Sequence, residues 1–436
     1  MGMKLYKFLF RIIKNWSFNN EEKEIILKKR LETSYKSDKI ILIQCPKDLY
    51  WFEKIEEIAV FYKNYNIKGV VPQIRYKKVK QIIFYWIELL HKLNELFLRR
   101  KWEKIYSSLG IIDYYGPRFF DKKKALKNFL LAYKFFKKIK SKEELLNHNF
   151  NGIKCGDLIY DSYMRYNNKP TIDINDFNLI FYITDCYNHI NYYTNLARNE
   201  TLIAYYSTYS TYISHGIPIR VFSKFGIKTF TFGYFKVKNF HLKLKKLTSE
   251  DTIQTKPYWN FKNIFDSLKE KEKEKYAALG YKEFGKRFKG SNDLSYMKSN
   301  QYSNRYVSPP LKFQLDGVVF IGDFFDSQHI YRSMVFNDLY EWLIYTIDLV
   351  VKHNLNVGFK PHPNQLEKSR KIINKLKNNY SKVIWIDPHV SNNVIFKSGI
   401  KYGISVYGSV LQELAYNKIS PISCGDNPTS SFDFVF

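Results

Sequence analysis

Glycine and proline are scarce, 19 and 13 in 436 residues, which excludes fibrous and linker-rich architectures. The four cysteines, Cys45, Cys155, Cys186 and Cys424, show neither CxxC nor Cys/His spacing. That argues against a disulfide framework and a zinc site, and suits a reducing cytoplasm. No apolar run reaches the roughly 18 residues that span a bilayer. The N-terminus, MGMKLYKFLFRIIKNW, is interrupted by Lys7 and Arg11 and lacks a small-residue cleavage site, so it is not read as a signal peptide. As a helix it would gather Leu5, Phe8, Leu9, Ile12 and Trp16 on one face bordered by Lys4, Lys7, Arg11 and Lys14. Such a face suits either a membrane interface or the protein's own core. Repeats of solenoid period are absent.

What is present is core material. Hydrophobic residues make up 45% and aromatics 18%, enough to fill two α/β domains. The net charge of +29 is inflated by a composition rich in Lys, Asn, Tyr and Ile that resembles a coding bias. Its distribution is more informative. From Leu311 onward there are 13 Lys+Arg against 11 Asp+Glu, whereas residues 1–310 hold 57 against 30. A coding bias acts on both parts alike, so the first part is expected to face something anionic. Acidic phospholipid, a lipid-linked or acidic glycan and nucleic acid all qualify. No nucleic-acid-binding signature accompanies the charge, so nucleic acid is not expected as a partner.

Along the chain, Ile40–Gln44 and 69–72 read as strands. Amphipathic helices are expected over 81–100 and 122–140, their apolar stripes facing the core by default, with membrane contact as the alternative. Segments 157–161, 179–182, 201–204 and 228–232 read as strands of a β/α unit. A charged stretch from Lys236 to about Pro310 holds helical pieces, and Ser308-Pro309-Pro310 marks an interdomain connection near 300–312. The last part alternates clearly: strands 318–321, 356–360, 382–387, 402–406 and 420–424, with helices between them. That pattern predicts a parallel, doubly wound sheet. The expected division is a basic, acceptor- or membrane-facing domain over 1–305 and a donor-binding domain over 311–436. After Gly425 only eleven residues remain with no closing helix, so the C-terminal domain reads as truncated.

In a parallel sheet, ligands bind beyond the carboxyl ends of the strands. Three groups are expected there. Lys360-Pro361-His362-Pro363 holds an imidazole between two prolines, able to meet a phosphate oxygen. Tyr407-Gly408-Ser409 places a serine at a helix start, where free N–H groups favour a diphosphate. Glu413 follows one turn later and could accept ribose hydroxyls. The plain alternatives are a loop histidine, an N-cap serine and a solvated glutamate.

These residues carry a resemblance. Asp323-Phe324-Phe325-Asp326-Ser327-Gln328-His329, Glu341 to Ile347, Lys360-Pro361-His362-Pro363 and Val406 to Glu413 resemble the donor-binding half of GT-B glycosyltransferases of capsule and O-antigen biosynthesis. In the first half, Gly156 to Arg165, Gly216-Ile217-Pro218-Ile219-Arg220 and Lys286-Arg287-Phe288-Lys289-Gly290 resemble the same family. The Lys-Pro-His-Pro and Gly-Ser…Glu elements are also similar to Kdo- and CDP-glycerol-type transferases. The resemblance implies a GT-B-like α/β fold of two Rossmann-like domains facing a cleft. It implies a nucleotide-sugar co-substrate, a polysaccharide or lipid-linked glycan acceptor, no cofactor, no metal, and a site at the inner face of the membrane. It assigns phosphate contacts to His362 and the Gly408-Ser409 turn and a ribose contact to Glu413, and counts Lys360 among the donor-binding residues. The Ser409-Val410-Leu411 stretch departs from the Gly-rich turn of many relatives. Transfer also needs a base for the acceptor hydroxyl. Asp161, at the end of its expected strand and followed by Arg165, is the first candidate, with a simple Asp161–Arg165 pair as the alternative; His215 and Asp326 are the others. A polyol-phosphate transferase and an inactive scaffold of an assembly complex are the competing functions.

Overall fold

The computed structural model describes residues 16–27, 37–72, 85–117, 122–232, 244–247, 261–290, 302, 311, 313–330, 334–427 and 430–436. The expected N-terminal helix lies almost wholly outside them. The chain divides into two compact units. The first takes Met1–Ser162, Ile174–Phe232 and Leu244–Thr252; the second takes Tyr163–Asp173, Gly233–Lys243 and Ile253–Phe436. This differs from the expected 1–305 and 311–436, and the connection expected at 300–312 lies largely outside the described residues. The segment after Ile253 joins the second unit for a visible reason. Its helix Glu270–Phe288 stacks Phe284 and Phe288 on Tyr416, at ring separations of 5.7 and 4.9 Å.

The first unit is built on β1 (Ile40–Gln44), α1 (Phe52–Phe61), β2 (Asn66–Val70), α2 (Tyr85–Ser107), β3 (Tyr114–Tyr115) and α3 (Lys122–Lys138). A small antiparallel hairpin, β4 (Asn149–Phe150) and β5 (Ile153–Lys154), leads to α4 (Gly156–Asn167) and α5 (Asn178–Asn199). Then come β6 (Leu202–Ser207), α6 (Tyr212–Lys224), β7 (Lys228–Phe232) and β8 (Leu244–Leu247). The sheet order is β3-β2-β1-β6-β7-β8, parallel except for the β7–β8 pair. Every residue of β1 is buried, as expected for a strand covered on both faces.

Two expected strands, 157–161 and 179–182, are helical. Helix α5 packs against both α3 and α6, so Leu179, Ile180, Tyr182, Ile183, Cys186, Tyr187 and Ile190 are all buried. A helix buried nearly all round loses its polar stripe, and a short window of it cannot be told from a buried strand. Helix α4 begins where only glycine fits: a Cβ on Gly156 would lie 1.7 Å from the Leu145 carbonyl oxygen. Its first turn carries Asp157, which meets Arg220 of α6 in a two-pronged buried pair at 2.7 and 2.5 Å.

The second unit continues through α7 (Glu270–Phe288), β9 (Gly317–Ile321), α8 (Leu339–Lys352), β10 (Val357–Pro361) and α9 (Glu367–Asn379). It closes with β11 (Ile384–Trp385), α10 (Asn392–Lys397), β12 (Tyr402–Ser405), α11 (Val410–Tyr416) and β13 (Ser420–Ser423). The order β11-β10-β9-β12-β13 is parallel throughout. Successive residues of β9 serve opposite faces. Val319 and Ile321 pack with Trp342, Leu343 and Ile373 of α8 and α9, while Val318 and Phe320 pack with Ile395, Leu411 and Leu414 of α10 and α11. Both units are therefore Rossmann-like: a mainly parallel sheet with helices on its faces. Among the described residues no helix is long and apolar enough to cross a membrane.

The Asp157–Arg220 pair yields the first test. Replacing Asp157 with Asn leaves Arg220, 5% exposed, without its counter-charge. Removing one partner of such a buried pair costs about 3 kcal/mol or more. Chemical denaturation of the full chain should show that loss, and a change below about 1 kcal/mol would contradict a structural role.

Candidate functional site

The topology of each sheet marks one place. In the second unit β9 is central; the chain winds outward through β10 and β11 on one side and β12 and β13 on the other. The loops after β9 and β12 diverge at that switch point, where open α/β sheets take their ligands.

The loop after β9 is held by Asp323. Its carboxylate accepts from Phe325 N–H at 2.8 Å and Ser369 Oγ at 3.0 Å, and from Leu366 N–H at 2.6 Å just before α9. Beside it, β10 runs through Lys360 to its last residue, Pro361, and is followed by His362, whose N–H bonds the Ile321 carbonyl at 3.0 Å. Two residues apart on an extended segment, Lys360 and His362 share a face. Lys360 is 3% exposed, and its ammonium has no hydrogen-bond or ion-pair partner among the described residues. Burial lowers its pKa to about 8, with Glu413 and Asp387 opposing. His362 reaches solvent while protein crowds it. That crowding, and then the Lys360 cation, lower its pKa against Glu413 and Asp323, so the ring is neutral at pH 7. Its Nδ1 accepts from Asn364 N–H at 3.1 Å. A backbone N–H can only donate, so the proton of the neutral ring sits on Nε2, which has no partner among the described residues.

After β12 the chain turns at Gly408, whose φ of +130° is closed to side-chain-bearing residues, and enters α11. Ser409 does not cap that helix through its side chain. Its hydroxyl instead accepts from Arg287 at 2.8 Å and donates to Glu413 Oε1 at 3.1 Å. Glu413 is fully buried, not on a solvated face. Arg287 of α7 pairs with its Oε1 at 3.0 Å, while Asn392 at 3.1 Å and the Tyr302 hydroxyl donate to Oε2. The carboxylate expected to meet a ribose thus has both oxygens engaged by protein groups. What the structure brings together is Arg287, Ser409 and Glu413, with Lys360 and His362 close enough for Glu413 to raise the pKa of both.

The first unit has its own cluster at the corresponding place. Its switch point lies between β1 and β6, which end in Gln44 and Ser207. Gln44 Oε1 accepts from Thr208 N–H at 3.0 Å, Thr208 Oγ1 at 2.6 Å and His215 Nδ1 at 2.9 Å. Because the Thr208 N–H must donate, the atom it meets is the amide oxygen, and His215 must donate to that same oxygen. The neutral imidazole then carries its proton on Nδ1 and a lone pair on Nε2, which has no partner among the described residues. Burial lowers its pKa to about 4, which keeps it neutral at pH 7.

The other candidates are placed differently. Asp161 lies mid-helix in α4, 3% exposed, not at a strand end. Arg165, in the end of α4 that belongs to the second unit, donates to the Phe325 carbonyl at 3.0 Å. Asp326 is exposed and accepts from Ser327 N–H at 3.1 Å. Among the described residues, no group of three or more His, Cys, Asp or Glu side chains could hold a metal. Sequence reasoning gave no role to Arg287, Tyr302, Asn392 and Gln44. Arg287 stood within one of the motifs quoted for the resemblance, and that was its only signal.

No protein-family model matches this chain, and no curated protein matches it. Among solved structures, it is similar to a UDP-GlcNAc 2-epimerase from Neisseria meningitidis bound to UDP-GlcNAc. The two are 9% identical over 88% of this chain and 82% of that one, with a TM-score of 0.21. A likeness that loose has no bearing on how the site works.

The site's frame depends on Glu413. Glu413→Ala strips the counter-charge from Arg287 and leaves the Tyr302 hydroxyl and Asn392 amide without their acceptor, a loss of about 3–5 kcal/mol. Ser409→Ala should cost about 1 kcal/mol, because Arg287 keeps Glu413. Equal losses for the two variants in urea titrations would show that the carboxylate is not the organiser.

Proposed function

We propose that this chain is a nucleotide-sugar-dependent glycosyltransferase whose second unit holds the donor diphosphate. The carrying observation is Lys360, a lysine almost wholly buried at a strand end with no partner among the described residues. A buried ammonium without a counter-charge is costly, and an arriving anion relieves that cost. His362 adds an Nε2–H donor and Arg287 a second cation near the same carboxylate. This donor set suits phosphate oxygens, with Lys360 as the point charge and His362 as the directional donor. As the glycosidic phosphate departs, those groups stabilise the charge that develops on it. Glu413 holds Arg287 in place and is not assigned a ribose contact.

The proton acceptor is assigned to His215 in place of Asp161. Gln44 fixes its tautomer, so that Nε2 can take a proton from an acceptor hydroxyl. The acceptor class, a growing capsular or O-antigen polysaccharide or lipid-linked glycan, follows from the motif resemblance alone, as does a position at the inner face of the membrane.

A thermal-shift screen of UDP-, GDP-, CDP- and CMP-sugars should find at least one that raises the melting temperature. His362→Ala and Lys360→Met should each weaken that ligand about tenfold or more. Binding should also weaken as pH rises through about 8, where Lys360 loses the proton that the anion needs. No stabilising nucleotide, or one indifferent to both substitutions, sinks the reading.

With that ligand in hand, donor turnover tests the base. His215→Gln should lower turnover about a hundredfold or more while the nucleotide-induced shift persists. Unchanged turnover would remove His215 from the mechanism.

A further inference from the structure

Helix α3 is turned the opposite way from what its sequence predicts. The default expectation puts Leu126 and Leu130 in the core. Instead they are 60% and 57% exposed, joined by Leu131 and Tyr133 at 39% and 40%. The face that packs on α5 is carried by Ala132 and by Asn128, a buried amide. Asn128 donates to Asn188 Oδ1 at 2.7 Å and accepts from Asn191 Nδ2 at 3.0 Å. These bonds fix the rotation of the helix, because turning the leucines inward would tear a satisfied amide pair out of the interior. The orientation is therefore enforced.

The outward face is not merely apolar. Leu126, Leu130 and Leu131 line a shallow depression together with Lys127 and Lys134. The seventeen residues of the helix include seven lysines and no Asp or Glu. An apolar strip beside Lys127 and Lys134, which have no ion-pair partner among the described residues, is complementary to one kind of surface, an acyl boundary beneath anionic headgroups. A core would not take the lysines, and a nucleic acid would not need the leucines.

We propose that α3 is the surface by which this chain docks on a bilayer containing anionic phospholipid, with the leucines entering the headgroup boundary and the lysines meeting phosphate. The proposal deepens the membrane placement given above, yet it stands on the helix alone and does not depend on the nucleotide site.

The test is co-sedimentation of the full chain with vesicles of phosphatidylcholine alone, or of phosphatidylcholine with phosphatidylglycerol. The chain should bind the second and not the first, and binding should fall about tenfold as salt rises towards 0.5 M. Leu126→Glu with Leu130→Glu, and separately Lys127→Gln with Lys134→Gln, should each lower the bound fraction about tenfold or more while leaving the melting temperature unchanged. Equal binding to both vesicle types, or undiminished binding by either variant, overturns the proposal. So does a melting temperature several degrees lower in the leucine variant, which would show that the chain itself covers this face. If the lysine variant loses affinity for an arbitrary oligonucleotide but not for vesicles, the face belongs to nucleic acid and the proposal fails. The nucleotide-induced thermal shift should be the same in all variants, so failure here leaves the donor site standing, and failure there leaves this surface standing.

Discussion

A buried carboxylate surrounded by cations is the constraint on which the second unit's site depends. Glu413 comes from α11, Arg287 from α7 and Lys360 from β10, elements far apart in the chain. None of the three would be tolerated alone at its depth, since an isolated ion out of water costs several kcal/mol. Together they nearly balance, and the balance is uneven. Arg287 is matched to Glu413 at 3.0 Å, whereas Lys360 senses the same carboxylate from farther away and is left without a bond among the described residues. The protein keeps one cation in reserve. The proposed anion site would use that surplus, and it would need the remaining charges satisfied so that the surplus stays in place.

The aromatic packing of α7 explains how Arg287 arrives. Tyr281, Phe284 and Phe288 recur at helical spacing and all pack on Tyr416 of α11, while Phe288 also meets Tyr302. Arg287, adjacent to Phe288, is thereby delivered to the start of α11. A helix with no buried residues of its own is anchored by rings at one end and contributes its cation there. Both sheets repeat one arrangement at the switch point, with different chemistry. The second unit offers cations and an N–H donor, suited to negative charge. The first offers a lone pair on a neutral imidazole held by an amide, suited to a hydroxyl. The proposed transfer would draw on each of these chemistries, the first for the donor phosphate and the second for the acceptor hydroxyl.

Much of this was legible in the sequence wherever a segment meets water on one side or is bounded by clear turns. All five strands of the second sheet and the helices between them appear close to where the alternation placed them, and Lys360, His362, Ser409 and Glu413 do gather. The failures have two causes. Segments 157–161 and 179–182 are helices covered by their neighbours, and burial on all sides erases the period by which helix is recognised. Glu413 was read as a solvated or ribose-binding carboxylate because its partners Arg287, Tyr302 and Asn392 are distant in sequence. Nothing local to a Glu announces an arginine 126 residues earlier. Gln44 and His215 likewise meet across 171 positions.

The lysine content shows how structure separates compositional bias from design. A bias scatters lysine wherever it is tolerated, and α7 looks like that outcome. Its lysines alternate with Glu270, Glu272, Glu274 and Glu283, and two of them pair within a turn, Lys273 with Glu270 and Lys286 with Glu283, each at 2.7 Å. Such pairs neutralise a solvated face and imply no partner. Helix α3, from the same chain under the same bias, has seven lysines and no acid, and sets Lys127 and Lys134 among exposed leucines. The bias accounts for lysines on both helices but not for the missing glutamates or the outward leucines on one. The excess charge of the first part is thus concentrated on at least one helix, and it is the helix whose leucines face outward.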